Sequence, residues 1–319
     1  LRIPTIVLFI SLLVGQSPFL IDSTLTSTIP QSISNSIQIG DLNNDGYNDI
    51  IFSGYDSTRF GLFVDVLTGN NEGTLSINYQ TNFPTYPDTI GEYLGGLGNI
   101  SLVDVNLDGY IDMYVNGSAK SKLLMNVSGN SFNESSMIDN MSITYSHGKW
   151  SDVNMDGKPD LFLMGVNEYS DNILNELFIN LGTDLDEDPS TIFPSLFTGS
   201  NSWGDYDNDG DPDLIILGQT ADPNSSVSRL YQNDPIGRLT EVTTASAIKG
   251  LKAGASHFAD LDSDGDLDLI ITGWNKIEGR LITLLLENEP LGTFSPFEYM
   301  LDFAVAYGTI DAIDYNLDG

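Results

Sequence analysis

The run Trp203-Gly204-Asp205-Tyr206-Asp207-Asn208-Asp209-Gly210-Asp211-Pro212-Asp213-Leu214-Ile215-Ile216-Leu217-Gly218 decides the fold. It sets acidic side chains at alternate positions, turns on a glycine, adds one more carboxylate, and then passes into an unbroken apolar stretch. Oxygen donors at positions 1, 3, 5 and 9 around a glycine suit a hard cation such as Ca²⁺. The short apolar stretch, rich in branched side chains and ended by a turn residue, reads as a buried strand.

Working outward, the pattern Asp-x-[Asn/Asp]-x-Asp-Gly begins again at Asp41, Asp104, Asp152, Asp260 and Asp314. The first five loops of the six add an Asp at position 9: Asp49, Asp112, Asp160, Asp213 and Asp268. An EF-hand loop would close with a bidentate Glu at position 12. Here position 12 holds Phe52, Val115, Leu163, Ile216 or Ile271, all apolar, so the closing donor is the Asp at position 9. The side-chain donors are therefore Asp41, Asn43, Asp45 and Asp49; Asp104, Asn106, Asp108 and Asp112; Asp152, Asn154, Asp156 and Asp160; Asp205, Asp207, Asp209 and Asp213; and Asp260, Asp262, Asp264 and Asp268. The sixth loop contributes Asp314, Asn316 and Asp318. Bare Asp-Gly turns would need only the dipeptide, not carboxylates held in register through five units. Asp207 and Asp262 give the fourth and fifth loops an extra charge at position 3, so these two are expected to bind most tightly.

Successive loops start 63, 48, 53, 55 and 54 residues apart. A period near 50 suits a propeller blade of four strands. The predicted second strands are Ile50–Ser53, Met113–Asn116, Leu161–Met164, Leu214–Leu217 and Leu269–Thr272, each expected to stop at the glycine that follows. An apolar residue stands two before each loop, at Ile39, Leu102, Trp150, Trp203 and Phe258, and marks the first strand. Apolar runs ending at Asn126, Asn180, Asn233 and Asn288 mark the third, and Thr240–Thr243 exemplifies the fourth. The expectation is an all-β propeller of four-stranded blades with a cation loop between strands one and two. Such a blade buries its faces only by stacking on neighbours.

The run from Trp203 to Gly218, and its echo from Phe258 to Gly273, resembles the FG-GAP or VCBS-type repeats that build the integrin α-subunit N-terminal propeller. The resemblance implies Ca²⁺ as the cofactor, about one ion per complete loop, and partner binding by loops on the opposite face. It also implies a main-chain carbonyl ligand at position 7, supplied by Tyr47, Tyr110, Lys158, Asp211 and Asp266. Lys158 is expected to weaken its loop if its ammonium folds back. Seven blades are usual in the family, so one or two are expected beyond this sequence.

The chain has 319 residues, no cysteine and a formal charge of -33. Its acids are spread through the loops rather than blocked into a tail. Only 12 Lys and Arg are present and they form no basic stripe, which argues against nucleic acid. Arg2 followed by the apolar stretch Ile3–Val14 has the form of a secretory signal peptide, assigned to 1–17, with the propeller spanning 18–319. Sequons at Asn99, Asn116, Asn126, Asn133, Asn140 and Asn224 fit a secreted or cell-surface protein. Leu1 and the cut sixth loop suggest that both ends are incomplete, which leaves room for membrane attachment after Gly319. With extracellular-type dissociation constants and tenfold excess calcium, each loop would stabilise the fold by roughly 1.4 kcal/mol. Calcium thus takes the place that disulfides hold in many secreted domains.

No nucleophile motif or phosphate loop is present, and His147 and His257 occupy inequivalent places before their loops. Trp150 and Trp203 are in phase and read as core; Trp274 is the better candidate for an exposed binding aromatic. The residues together point to a non-enzymatic calcium-binding module for an extracellular protein or glycan. The alternative is a carbohydrate-active enzyme, acting through the propeller itself or through a catalytic domain after residue 319.

Overall fold

The computed structural model describes residues 32–56, 61–72, 76–77, 99–115, 121–138, 143–167, 172–243, 247–289, 292–297, 304–306 and 308–312. The signal-peptide assignment and the sixth loop lie outside these residues. The described chain forms five four-stranded antiparallel sheets, each a meander in chain order. The first comprises β1 (Ser32–Gly40), β2 (Asp49–Asp56), β3 (Gly61–Thr68) and β4 (Ser76–Ile77), and the second β5 (Ile100–Val103), β6 (Asp112–Val115), β7 (Lys122–Val127) and β8 (Ser131–Glu134). The third comprises β9 (Ile143–Ser151), β10 (Asp160–Asn167), β11 (Ile173–Asn180) and β12 (Leu185–Asp188). The fourth has β13 (Phe197–Gly204), β14 (Asp213–Gln219), β15 (Ser226–Gln232) and β16 (Thr240–Glu241), and the fifth β17 (Lys252–Ala259), β18 (Asp268–Asn275), β19 (Arg280–Glu289) and β20 (Thr293–Pro296). These are the blades of a β-propeller-type fold. They fall into two compact units that divide after Thr144.

The unbroken apolar runs have a direct physical cause. Alternate side chains of a strand point to opposite faces of its sheet, so a strand buried on both faces has no place for polar residues. Leu214 and Ile216 of β14 join Phe162, Met164, Leu177 and Tyr231 in one core cluster. Ile215 and Leu217 of the same strand turn the other way, into a cluster with Leu269, Ile271, Ile282 and Leu286. The fourth blade thus shares one core with the third and another with the fifth. In the other unit Leu42, Ile51 and Val66 pack against Ile100, Met113 and Leu124 in the same manner. Phe162 meets Phe193 and Trp203 edge-on, at centroid separations of 4.9 and 6.3 Å.

The glycines after the second-strand runs do not stop the strands. β10, β14 and β18 run through Gly165, Gly218 and Gly273 for one or two further residues. The first strand of the fourth blade carries an irregularity between Phe197 and Ser200 that presses its backbone onto β14. A Cβ on Gly199 would lie 1.7 Å from the Leu217 carbonyl oxygen, and one on Gly218 3.0 Å from that of Phe197. Glycine here marks a close backbone approach within the sheet. Ile39 is also out of pattern: it is 63% exposed, whereas Phe258 at the equivalent place is 7% exposed.

Candidate metal centres

Each complete loop closes on itself through its own carboxylates. Position 4 takes the left-handed conformation at Asn44, Leu107, Met155, Asn208 and Ser263, with φ between 56° and 64°. This reversal, with the glycine at position 6, folds the loop back onto its position 1 carboxylate. In the first four loops the position 5 amide donates to Oδ1 of position 1, at 3.1 Å for Asp45 to Asp41 and 3.0 Å for Asp209 to Asp205. The glycine amide donates to the other oxygen, at 2.8 Å for Gly46 to Asp41 and 3.0 Å for Gly210 to Asp205. In the fifth loop Ser263 and Gly265 fill the two places on Asp260.

Position 9 opens the second strand of every blade and is buried there: Asp49, Asp112, Asp160 and Asp213 are 0% exposed and Asp268 is 1% exposed. Each carboxylate accepts two backbone amides, Oδ2 from position 2 of its own loop and Oδ1 from further along the blade. For Asp213 the donors are Tyr206 and Asn233, at 3.0 and 2.8 Å; for Asp268 they are Leu261 and Asn288, both at 2.8 Å. Burial, partly offset by these amides, raises Asp112, Asp160 and Asp268 to about 6 and Asp213 to about 8, the other acids of each loop adding to the rise. These are carboxylates short of positive charge, as expected of a cation site.

The asparagines at the ends of the third-strand runs belong to the same system. Asn126, Asn180, Asn233 and Asn288 are buried. Three of them send a side-chain amide to the position 2 carbonyl of a neighbouring loop: Asn126 to Leu42 at 2.8 Å, Asn233 to Val153 at 2.8 Å and Asn288 to Tyr206 at 2.5 Å. Their signal in the sequence is a recurrence in phase with the loops, which by itself marks only a strand end. Asn126 sits in a sequon, yet its amide is committed to Leu42 and Ile111 inside the fold. Asn133 and Asn224 are exposed sequon positions, whereas Asn116 and Asn140 lie outside the residues whose surroundings are described.

The loops differ at the centre. In the first two, the Asn43 and Asn106 amides donate to the position 5 carboxylates of Asp45 and Asp108, each at 3.0 Å. In the third, the Lys158 ammonium folds back onto Asp156 at 2.8 Å and holds that carboxyl below its usual range. In the fourth and fifth, carboxylates meet instead. Oxygens of Asp205, Asp207 and Asp209 lie within 4.8 Å of one another, as do those of Asp260, Asp262 and Asp268. Burial, with the neighbouring acids, raises Asp211 and Asp266 at position 7 to about 6. Buried carboxylate oxygens without a partner occur at Asp207, Asp211 and Asp266. The donor set is all oxygen and unneutralised, which fits Ca²⁺.

The other sequence candidates fall elsewhere. His147 on β9 and His257 on β17 are both lowered by burial, His147 to about 4. Trp203 packs in the core, and Trp274 lies within β18, partly buried, opposite Lys252 and Leu281. At the end of the third blade away from its loop, two adjoining cavities of about 530 and 300 Å³ share Ile173, Glu176 and Ser195. Glu176 is raised by burial and then by the charge of Glu187, which lines the smaller cavity.

No curated protein matches the sequence. Among solved structures, an Agrocybe aegerita lectin described as recognising non-reducing terminal N-acetylglucosamine aligns with a TM-score of 0.57 and 18% identity, over 85% of this chain and 67% of that one. A putative exo-beta-1,3-galactanase from Bifidobacterium bifidum s17 aligns with a TM-score of 0.44 and 10% identity, over 88% of this chain and 95% of that one. The FG-GAP-like repeat family model matches residues 152–216 and 205–271. The chain thus carries FG-GAP-like repeats through residues 152–271, in an all-β fold of propeller-type blades.

Proposed function

We propose that this protein is a secreted or cell-surface binding module whose blades are held by Ca²⁺ and whose ligand is a glycan. The observation that carries the calcium reading is the loop closure repeated through five blades. In each of the five described loops the glycine amide donates to the position 1 carboxylate, and the position 9 carboxylate ties the loop to residues further along the blade. When bound, the ion would supply the positive charge that these buried carboxylates lack. Positions 1, 3, 5 and 9 would hold it together with the position 7 residue, while the backbone amides keep the donors in place.

The glycan reading rests on the cleft at the far end of the third blade. Its lining mixes carboxylates and amides, which accept and donate to sugar hydroxyls, with apolar faces at Ile173, Leu174 and Phe193. The likeness to a lectin supports this assignment through the fold alone. Glycan-array screening of the calcium-loaded protein tests it. Binding of a defined glycan that Glu176→Gln abolishes is expected; retained binding in that variant would move the site elsewhere.

One observation favours a second reading, a carbohydrate-active enzyme. Glu176, raised by burial and then by the charge of Glu187, shares the smaller cavity with Glu187, and two carboxyl groups in one cleft are what glycosidic bond cleavage uses. Product release from oligosaccharides incubated with the protein, lost in Glu176→Gln, would select this reading over simple binding.

A further inference from the structure

Position 7 separates the loops into two kinds. Tyr47, Tyr110 and Lys158 hold it in the first three; Asp211 and Asp266 hold it in the fourth and fifth. A main-chain carbonyl from this position makes no demand on the side chain, and an exposed Tyr47 meets that description. Asp211 does not. It is 1% exposed, and neither of its carboxylate oxygens has a hydrogen-bond partner. Its carboxyl lies against that of Asp209, among the charges of Asp207 and Asp205. Asp266 repeats the arrangement: one oxygen is buried without a partner, and the carboxyl lies against Asp264. Among the described residues of the first three loops, no donor oxygen is buried and unpartnered in this way.

An ionised carboxylate withdrawn from water and surrounded by other carboxylates is strongly unfavourable unless a cation or a proton compensates it. Simple turn formation does not call for such a residue, since the turn needs only the position 7 amide, which already donates to Asp209 at 3.3 Å and, in the fifth loop, to Asp264 at 3.2 Å. Resting on the calcium reading above, we infer that Asp211 and Asp266 coordinate the ion through their side chains. The fourth and fifth loops then form a pair of five-carboxylate sites distinct from the other three. One further feature sets these loops apart. Asp207 and Asp262 replace the amides that cap the position 5 carboxylate in the first two loops. The Asn208 side chain reaches the Gly265 carbonyl at 3.3 Å, just as Asn44 reaches the Gly109 carbonyl at 2.7 Å between the first two loops.

The test is calorimetric titration of the full chain with Ca²⁺ alone. Two tight sites are expected, with dissociation constants about tenfold or more below those of the remaining loops. Asp211→Asn, which keeps the volume and removes the charge, is expected to leave one tight site, and so is Asp266→Asn. The double variant is expected to leave none. Circular dichroism establishes folding of each variant, and Asp266→Asn serves if the more deeply buried Asp211→Asn does not fold. A single class of equal sites untouched by either substitution overturns the inference while leaving the calcium reading in place. An absence of calcium heat in the parent protein overturns both.

Discussion

The main-chain amide of Asn288 donates to Oδ1 of Asp268 at 2.8 Å. The side-chain amide of the same asparagine donates to the Tyr206 carbonyl at 2.5 Å and to the Leu267 carbonyl at 3.1 Å. One residue thereby joins the buried carboxylate of the fifth loop, the end of the third strand and the loop of the fourth blade. Asn233 makes the equivalent junction between Asp213 and Val153, and Asn126 between Asp112 and Leu42. A cation held by one loop would therefore act on the packing of two blades.

Replacing Asn288 by alanine removes the side-chain donor from the buried Tyr206 carbonyl and the partly buried Leu267 carbonyl. A buried acceptor left without its donor costs about 1–3 kcal/mol. A loss of about 2–4 kcal/mol is expected in urea denaturation, together with weaker calcium binding at the fifth loop. Asn224→Ala, at an exposed position, is expected to change stability by less than about 0.5 kcal/mol.

The ammonium of Lys158 occupies charge that a cation would otherwise take from Asp156. Lys158→Met is expected to tighten calcium binding at the third loop, read as a lower dissociation constant for one site in titration calorimetry. Unchanged binding would mean that the lysine swings clear when the ion arrives.

Leu107 and Met155 adopt the left-handed conformation that asparagine holds in the first and fourth loops. Both are more than half exposed, so burial does not offset the strain. Leu107→Asn is expected to raise stability by about 1 kcal/mol in thermal denaturation.

Calcium uptake is expected to be coupled to proton release. Burial raises Asp112, Asp160 and Asp268 to about 6 and Asp213 to about 8, above the unfolded value of 3.8. In the calcium-free protein the stability that these groups contribute is complete below about pH 4 and is lost as pH rises through about 6 to 8. An arriving cation favours the ionised form, so binding at about pH 6 is expected to release protons. Calorimetry in buffers of different ionisation enthalpy measures that release, and equal heats in all buffers would contradict it.

The blades are legible in the sequence because their second strands are buried on both faces, which forbids polar interruptions in runs such as Leu214–Leu217. The side chains at positions 1, 3 and 5 are legible by their alternation around a glycine, and in the structure they accept the backbone amides of their own loop. Three features are not. Gly218 reads as a strand end, because its close approach to Phe197 depends on an irregularity in another strand. Asn233 reads as a terminator, because its partner Val153 lies 80 residues away. The carboxyl of Asp211 carries no signal of its own, because the role expected at position 7 belongs to the main chain and the burial of a side chain there is a tertiary fact.

That bound calcium holds these blades together is tested most directly by the melting temperature across a titration from chelator to several millimolar calcium. A rise of many degrees that magnesium does not reproduce is predicted, reduced in Asp209→Ala and unchanged in Asp222→Ala. A flat curve, or equal losses in the two variants, would contradict it.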